Sequence, residues 1–193
     1  MAHMLDVKEK ISIHLILNKR NIMENLTTTE AATQIISILR DRNQTVSTAE
    51  SLTAGMISSS FADISGSSSI LAGGVVSYQL SVKEKVLNIP KEVLGVDAVN
   101  KETATLMATN VASLLGTDYS ISATGIAEAY DERGELAYCS IYDNVNKIVH
   151  NFYFEFKDYN RNEVREQLTS MLLNHFLIII TSSVNKVNEH PHN

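Results

Sequence analysis

A single cysteine, Cys139, occurs among the 193 residues of this chain. That excludes an internal disulfide framework and any cysteine-rich zinc module. Long apolar runs are missing too. The longest uninterrupted aliphatic or aromatic stretch is Phe176 to Ile180, far short of the ~20 residues needed to span a bilayer, so no membrane partner is expected. Positive charge is in deficit, with 16 Lys and Arg against 22 Asp and Glu and a formal net charge of −6. Without a basic cluster to offset this balance, nucleic acid is not an expected partner, because such binding rests on phosphate neutralisation. The N-terminus lacks the basic, apolar and small-residue order of a secretory signal, and a soluble cytoplasmic protein is expected. Familiar site motifs are absent: there is no G-x-x-x-x-G-K-[ST], G-x-G-x-x-G, G-x-S-x-G or H-E-x-x-H. The six histidines, His3, His14, His150, His175, His190 and His192, include no helical pair suited to a metal. Neither a metal nor another cofactor is expected.

What is present is a 44% hydrophobic chain, enough to bury a sizeable core at this length. Residues 1–22 read as a tag or leader, or as an extra N-terminal segment, since Met1 to Met4 resemble a cloning scar and a second natural start stands at Met23. Residues 23–184 carry the domain, and 185–193, with Pro191 between two histidines, read as a flexible tail. Within the domain, Ala32, Ile35, Ile36 and Leu39 recur at helical spacing after Thr27 to Thr29, with Glu30 placed to complete a cap. A short β-prone run, Thr45 to Ala49, precedes a helix expected from Thr53 to Phe61. Strands are expected over Gly74 to Gln79 and Asp118 to Ala123, and helices over Ser81 to Leu87, ended by Pro90, and Thr103 to Leu114. Glu135 to Tyr142 and Lys147 to Phe156 alternate as a strand pair, and Val164 to Ile180 mark a long final helix. This alternation predicts a three-layer α/β/α sandwich around a mixed, mostly parallel sheet.

Sites in such sheets lie where strands hand over to helices, and three junctions here are rich in small polar residues. The first, Thr48-Ala49-Glu50-Ser51-Leu52-Thr53-Ala54-Gly55, places the Ser51 hydroxyl on a strand-to-helix turn, where free backbone N–H groups favour an anion. The second is Ser77-Tyr78, with Lys83 following. The third is Ser122-Ala123-Thr124-Gly125, whose glycine lets a ligand approach the backbone. By residue type alone none decides a function. A serine in a turn is more often a cap, a lysine such as Lys83 more often solvated, and a tyrosine such as Tyr78 more often a half-buried strand residue. His175 and Cys139 read as packing residues, and Asp131-Glu132 as a solvated turn.

Taken in order, these junctions resemble the C-terminal domain of the competence/damage-inducible CinA family, also found as stand-alone nicotinamide mononucleotide amidohydrolases. The matching residues are Thr48-Ala49-Glu50-Ser51-x-Thr53-x-Gly55, Ile64-x-Gly66-Ser67-Ser68, Gly74-Val75-Val76-Ser77-Tyr78 with Lys83, Ala98-Val99, and Ser122-Ala123-Thr124-Gly125-Ile126-Ala127. Together they cover roughly residues 27–183; the pterin-type domain of longer members is not expected in this chain. The resemblance implies hydrolysis of the carboxamide of nicotinamide mononucleotide to nicotinic acid mononucleotide and ammonia. It implies Ser51 as nucleophile, Lys83 as its base and Tyr78 as an assisting hydroxyl, with Glu50, Thr53, Gly55, Thr124 and Gly125 around a small-molecule nucleotide substrate. It also implies a homo-oligomer, a dimer, for which the apolar final helix and the strand pair before it offer surfaces. This chain departs from the family pattern at Leu52, Ala54, Leu80-Ser81-Val82, Asn100 and, most of all, in the rewritten loop Glu128 to Leu136. The alternative is therefore a catalytically silent domain that binds a nucleotide or a protein partner.

Overall fold

Thr27 and Glu30 open the first helix reciprocally. The Thr27 hydroxyl accepts from the Glu30 N–H, and the Glu30 carboxylate accepts from the Thr27 N–H, two otherwise orphaned donors satisfied at once. The structure is a computed structural model describing residues 26–182; the segment expected at 1–22 and the tail expected at 185–193 lie outside the described residues. Helix α1 (Thr28–Asp41) buries Ala31, Ala32, Ile35, Ile36 and Leu39. There follow β1 (Val46–Glu50), α2 (Met56–Ala62), a single 3₁₀ turn (Ser67–Ser69), β2 (Leu71–Val76), α3 (Leu80–Leu87), α4 (Lys91–Leu94) and α5 (Lys101–Leu115). The chain continues through β3 (Tyr119–Ile126), β4 (Glu135–Asp143), β5 (Ile148–Phe156) and α6 (Arg161–Ser182).

The five strands form one sheet in the order β2-β1-β3-β4-β5. β1 runs parallel to both β2 and β3, while β3–β4 and β4–β5 are antiparallel, so the sheet is mixed as expected. A parallel central strand has to be covered on both faces, and every residue of β1 is buried. One face packs Ile35, Leu39, Phe61, Leu172 and Phe176 from α1, α2 and α6. The other packs Leu87, Ile89, Met107 and Val111 from α3 to α5. Cys139 is buried in β4, where loss of solvation pushes its thiol pKa up. His175 stacks on Phe152 at 4.6 Å between ring centroids. Within the final helix, Phe176, Leu177, Ile179 and Ile180 are buried in the chain's own core. Among the described residues no helix is long and apolar enough to cross a membrane.

Several sequence expectations shift. The helix after Ser51 begins at Met56 rather than Thr53, because Ala54 and Gly55 take positive φ of 51° and 96° in a tight turn first. The second strand runs Leu71–Val76, leaving Ser77 and Tyr78 past its end. Helix α3 is stopped by Asn88 in the left-handed conformation, and Pro90 instead caps the start of α4. The third strand extends to Ile126, so Thr124 and Gly125 lie within it, paired with Tyr138 and Ala137. Gly125 is required there by packing: a Cβ would stand 2.2 Å from the Leu136 carbonyl oxygen.

Candidate active site

Period-two alternation along β1 decides which side chain meets which layer. Ala49 packs into the cluster of α3 and α5, and Glu50 points to the opposite face, among residues of α2. Ser51 follows at the end of the strand. Its N–H donates to the Ala123 carbonyl at 2.9 Å, while the Ser77 N–H donates to the Glu50 carbonyl at 2.8 Å, so the backbone is held from both sides. Ser51 is half-buried, and its Oγ accepts a hydrogen bond from Lys83 Nζ at 2.9 Å. The same Nζ donates to the Ser77 carbonyl at 2.5 Å. Far from being solvated, Lys83 is 1% exposed. Burial disfavours the ammonium and lowers its pKa from the ordinary 10.5 to about 8.

The anion expected at the turn after Ser51 turns out to be supplied by the chain. The Glu50 carboxylate, fully buried, accepts from the backbone N–H groups of Gly55 (2.9 Å), Ile57 (3.1 Å) and Ser58 (2.9 Å) and from the hydroxyls of Ser58 and Thr48 (3.0 Å each). It therefore caps α2 and fixes the turn that carries Ser51; the N–H groups of that helix are not free for a ligand. The amides of Leu52 and Thr53 take no part in this network.

The remaining sequence-picked residues divide. Gly55 serves the turn through its positive φ and its bond to Glu50. The Thr124 hydroxyl is buried and donates to the Ala98 carbonyl at 2.9 Å, and Gly125 faces β4. Thr53 is buried, and its Oγ1 has no hydrogen-bond partner among the described residues. Tyr78 is 52% exposed, and its hydroxyl accepts from Arg161 Nη2 at 2.5 Å.

Two residues of the site escaped sequence reasoning. Arg161 and Arg165 stand four apart at the start of α6, hence on one helix face. Arg165 Nη2 donates to the Thr53 carbonyl at 3.2 Å, and its Nε is buried without a partner among the described residues. Arg161 reaches Tyr78 and also stands 3.8 Å from Glu128. The i, i+4 basic pair was the available signal, but the sequence pattern places the helix start only at Val164. Among the described residues no group of three or more His, Cys, Asp or Glu is placed to hold a metal ion.

What this arrangement can do is bounded by comparison with known proteins. A CinA-like protein of Prochlorococcus marinus is 37% identical over 154 residues, which is 77% of this chain and 36% of that protein. A putative competence-damage inducible protein of Bacillus mycoides is 43% identical over 93 residues, 48% of this chain and 23% of that one. The chain thus spans about a third or less of the length of these curated relatives. The crystal structure of the competence/damage inducible protein CihA of Agrobacterium tumefaciens superposes with a TM-score of 0.75 at 27% identity, covering 82% of this chain and 99% of that one. A competence or damage-inducible protein of Enterobacter asburiae shares the fold at 21% identity and the same TM-score of 0.75, covering 80% and 99%. The family model described as the CinA C-terminal domain matches residues 28–180, and the chain belongs to that family.

Proposed function

We propose that this chain is an amidohydrolase that deamidates nicotinamide mononucleotide, or a related pyridine nucleotide, to the corresponding acid and ammonia by a Ser/Lys mechanism. The observation that carries the reading is the 2.9 Å contact between Ser51 Oγ and a buried Lys83 Nζ whose pKa falls to about 8. A serine hydroxyl attacks an amide only when a base takes its proton, and a lysine serves as that base only when its ammonium is destabilised.

In the neutral form, Lys83 accepts the Ser51 proton as Oγ adds to the carboxamide carbon. The resulting ammonium is held by the Ser77 carbonyl, then returns the proton to the departing nitrogen, and ammonia leaves an ester on Ser51. Water, deprotonated by the same amine, releases the acid. The Leu52 and Thr53 amides, outside the Glu50 network, are the donors for the oxyanion; such a donor contributes roughly 3–4 kcal/mol to catalysis. Tyr78, whose oxygen accepts from Arg161, retains its own proton to donate to substrate.

The test is ammonia release from nicotinamide mononucleotide by the purified chain beside Ser51→Ala. Serine-dependent ammonia is expected, with the variant at background. A variant with full activity would refute the nucleophile. One observation favours the silent alternative, namely the Glu128 carboxylate standing 3.8 Å from Arg161, the residue that reaches Tyr78. Thermal stabilisation by pyridine nucleotides without any ammonia from well-folded protein would replace hydrolysis by binding.

A further inference from the structure

The loop between β3 and β4 is pinned. Arg133 Nη2 donates to Asp97 at 2.6 Å and to Asp131 at 2.7 Å, and the Tyr130 hydroxyl donates to the same Asp97 oxygen at 3.1 Å. Nearer its start, the Ala129 N–H donates to Glu135 at 3.2 Å. Held in this way, the loop sets Glu128 Oε2 3.8 Å from Arg161 Nη1, while Arg161 Nη2 occupies Tyr78. Glu128, Arg161 and Tyr78 thus form a chain of contacts that ends one residue from Ser77, whose carbonyl holds Lys83. The other guanidinium, Arg165, is engaged by the Thr53 carbonyl and the Asn162 side chain. Arg161 is therefore an exposed guanidinium already matched by a carboxylate.

We propose that Glu128 is a specificity-determining residue: it neutralises Arg161 and repels a phosphate dianion, so that the site favours a pyridinium amide carried on a nucleoside over the same amide carried on a nucleotide. The inference rests on the amidohydrolase reading of the pocket and names its substrate class. A phosphate sharing the Arg161 guanidinium would sit ~4–6 Å from the Glu128 carboxylate. At the dielectric of bulk water, each pair of like charges at that separation alters affinity by roughly three- to sixfold, and a dianion makes two such pairs. The exposed Glu128–Arg161 pair itself contributes little to folding, so Glu128→Gln leaves the fold intact.

The experiment is calorimetric titration of nicotinamide mononucleotide and nicotinamide riboside into the full chain carrying Ser51→Ala, with and without Glu128→Gln. The Ser51→Ala background keeps the ligands from turning over. Without the Glu128 change, the riboside is expected to bind at least as tightly as the mononucleotide. Glu128→Gln is expected to move the ratio of affinities about tenfold toward the mononucleotide, and adding Arg161→Ala should remove that gain. Binding of both ligands with an unchanged ratio would overturn the assignment and leave the amidohydrolase reading standing. Binding of neither at millimolar concentration would overturn both.

Discussion

Replacing Lys83 by methionine should stop catalysis and make the protein more stable, with a pH signature that isolates the buried charge. The unfolded chain holds the lysine proton up to its ordinary pKa of 10.5, whereas the folded chain releases it near 8. Below pH 8 both states carry the proton, and the native state bears the full cost of a buried ammonium. The gap between 10.5 and about 8 is worth about 3 kcal/mol. Between pH 8 and 10.5 only the unfolded chain keeps the proton, so wild-type stability rises with pH until the cost is gone. Methionine fills a similar volume without charge, but leaves the Ser77 carbonyl without the donor it has at 2.5 Å, a loss of ~1–2 kcal/mol. The net gain at pH 7 is therefore ~1–2 kcal/mol.

The sharper quantity is the change in that difference between pH 7 and pH 10. Wild type should gain about 2–3 kcal/mol over this interval relative to the variant, whatever the carbonyl costs, because that cost is common to both pH values. Urea denaturation of the two proteins at both pH values reads it directly. A stability difference independent of pH would refute the argument: Lys83 would then titrate alike in the folded and unfolded chains, and a lysine with an ordinary pKa cannot serve as base at neutral pH.

The same ionisation sets the rate. If neutral Lys83 is the base, kcat/KM for ammonia release should rise about tenfold per pH unit below about 8 and level off above it; a flat profile from pH 6 to 9 would remove Lys83 from the chemistry. Glu50→Ala should strip the N–H groups of Gly55, Ile57 and Ser58 of their acceptor, destabilising the chain by about 3 kcal/mol in urea. It should also lower kcat by loosening the Ser51 turn, and unchanged stability would show that the turn holds without its cap. Gly125→Ala forces a Cβ to within 2.2 Å of the Leu136 backbone oxygen, which a strand pair can accommodate only by separating. A loss of about 3 kcal/mol or failure to fold is expected, whereas a native-like midpoint would mean that β3 and β4 relax freely.

Much of the layer order was legible because helices such as α1 and α5 carry periodic apolar faces, and α1 an explicit capping residue, Thr27. The central strands were harder to bound because their buried positions are polar. Ser47, Ser120, Ser122 and Thr124 are buried, and each is satisfied by a specific partner: Ser47 by Thr117, and the others by the Ala108, Ala104 and Ala98 carbonyls. The strand expected to end before Thr124-Gly125 runs on through them, because the Thr124 hydroxyl finds the Ala98 carbonyl and the bare Gly125 lets β4 approach. The start of α2 was misplaced for another reason: its cap, Glu50, lies inside the preceding strand, five to eight residues before the N–H groups it accepts from, rather than next to the helix. For the site, the residue types and their order were visible, but the state of Lys83 was not. Its burial depends on a carbonyl six residues back and on the packing of a whole helix, and neither exists until the sheet has formed.

The alternation of β1 also explains how a buried carboxylate and a buried lysine coexist two side chains from one serine without cancelling each other. A carboxylate in contact with Lys83 would favour the ammonium and raise its pKa, removing the base. Glu50 points to the α2 face and is neutralised there by backbone N–H groups and hydroxyls, whereas Ser51 turns the other way to meet Lys83 on α3. Desolvation is the cause of the lysine shift, which fits a site with the counter-charge on the far side of the strand. A one-residue slip of β1 would exchange the two faces. It would put a carboxylate against the lysine and leave the cap of α2 empty, so the register of a single five-residue strand holds both the helix cap and the basicity of Lys83.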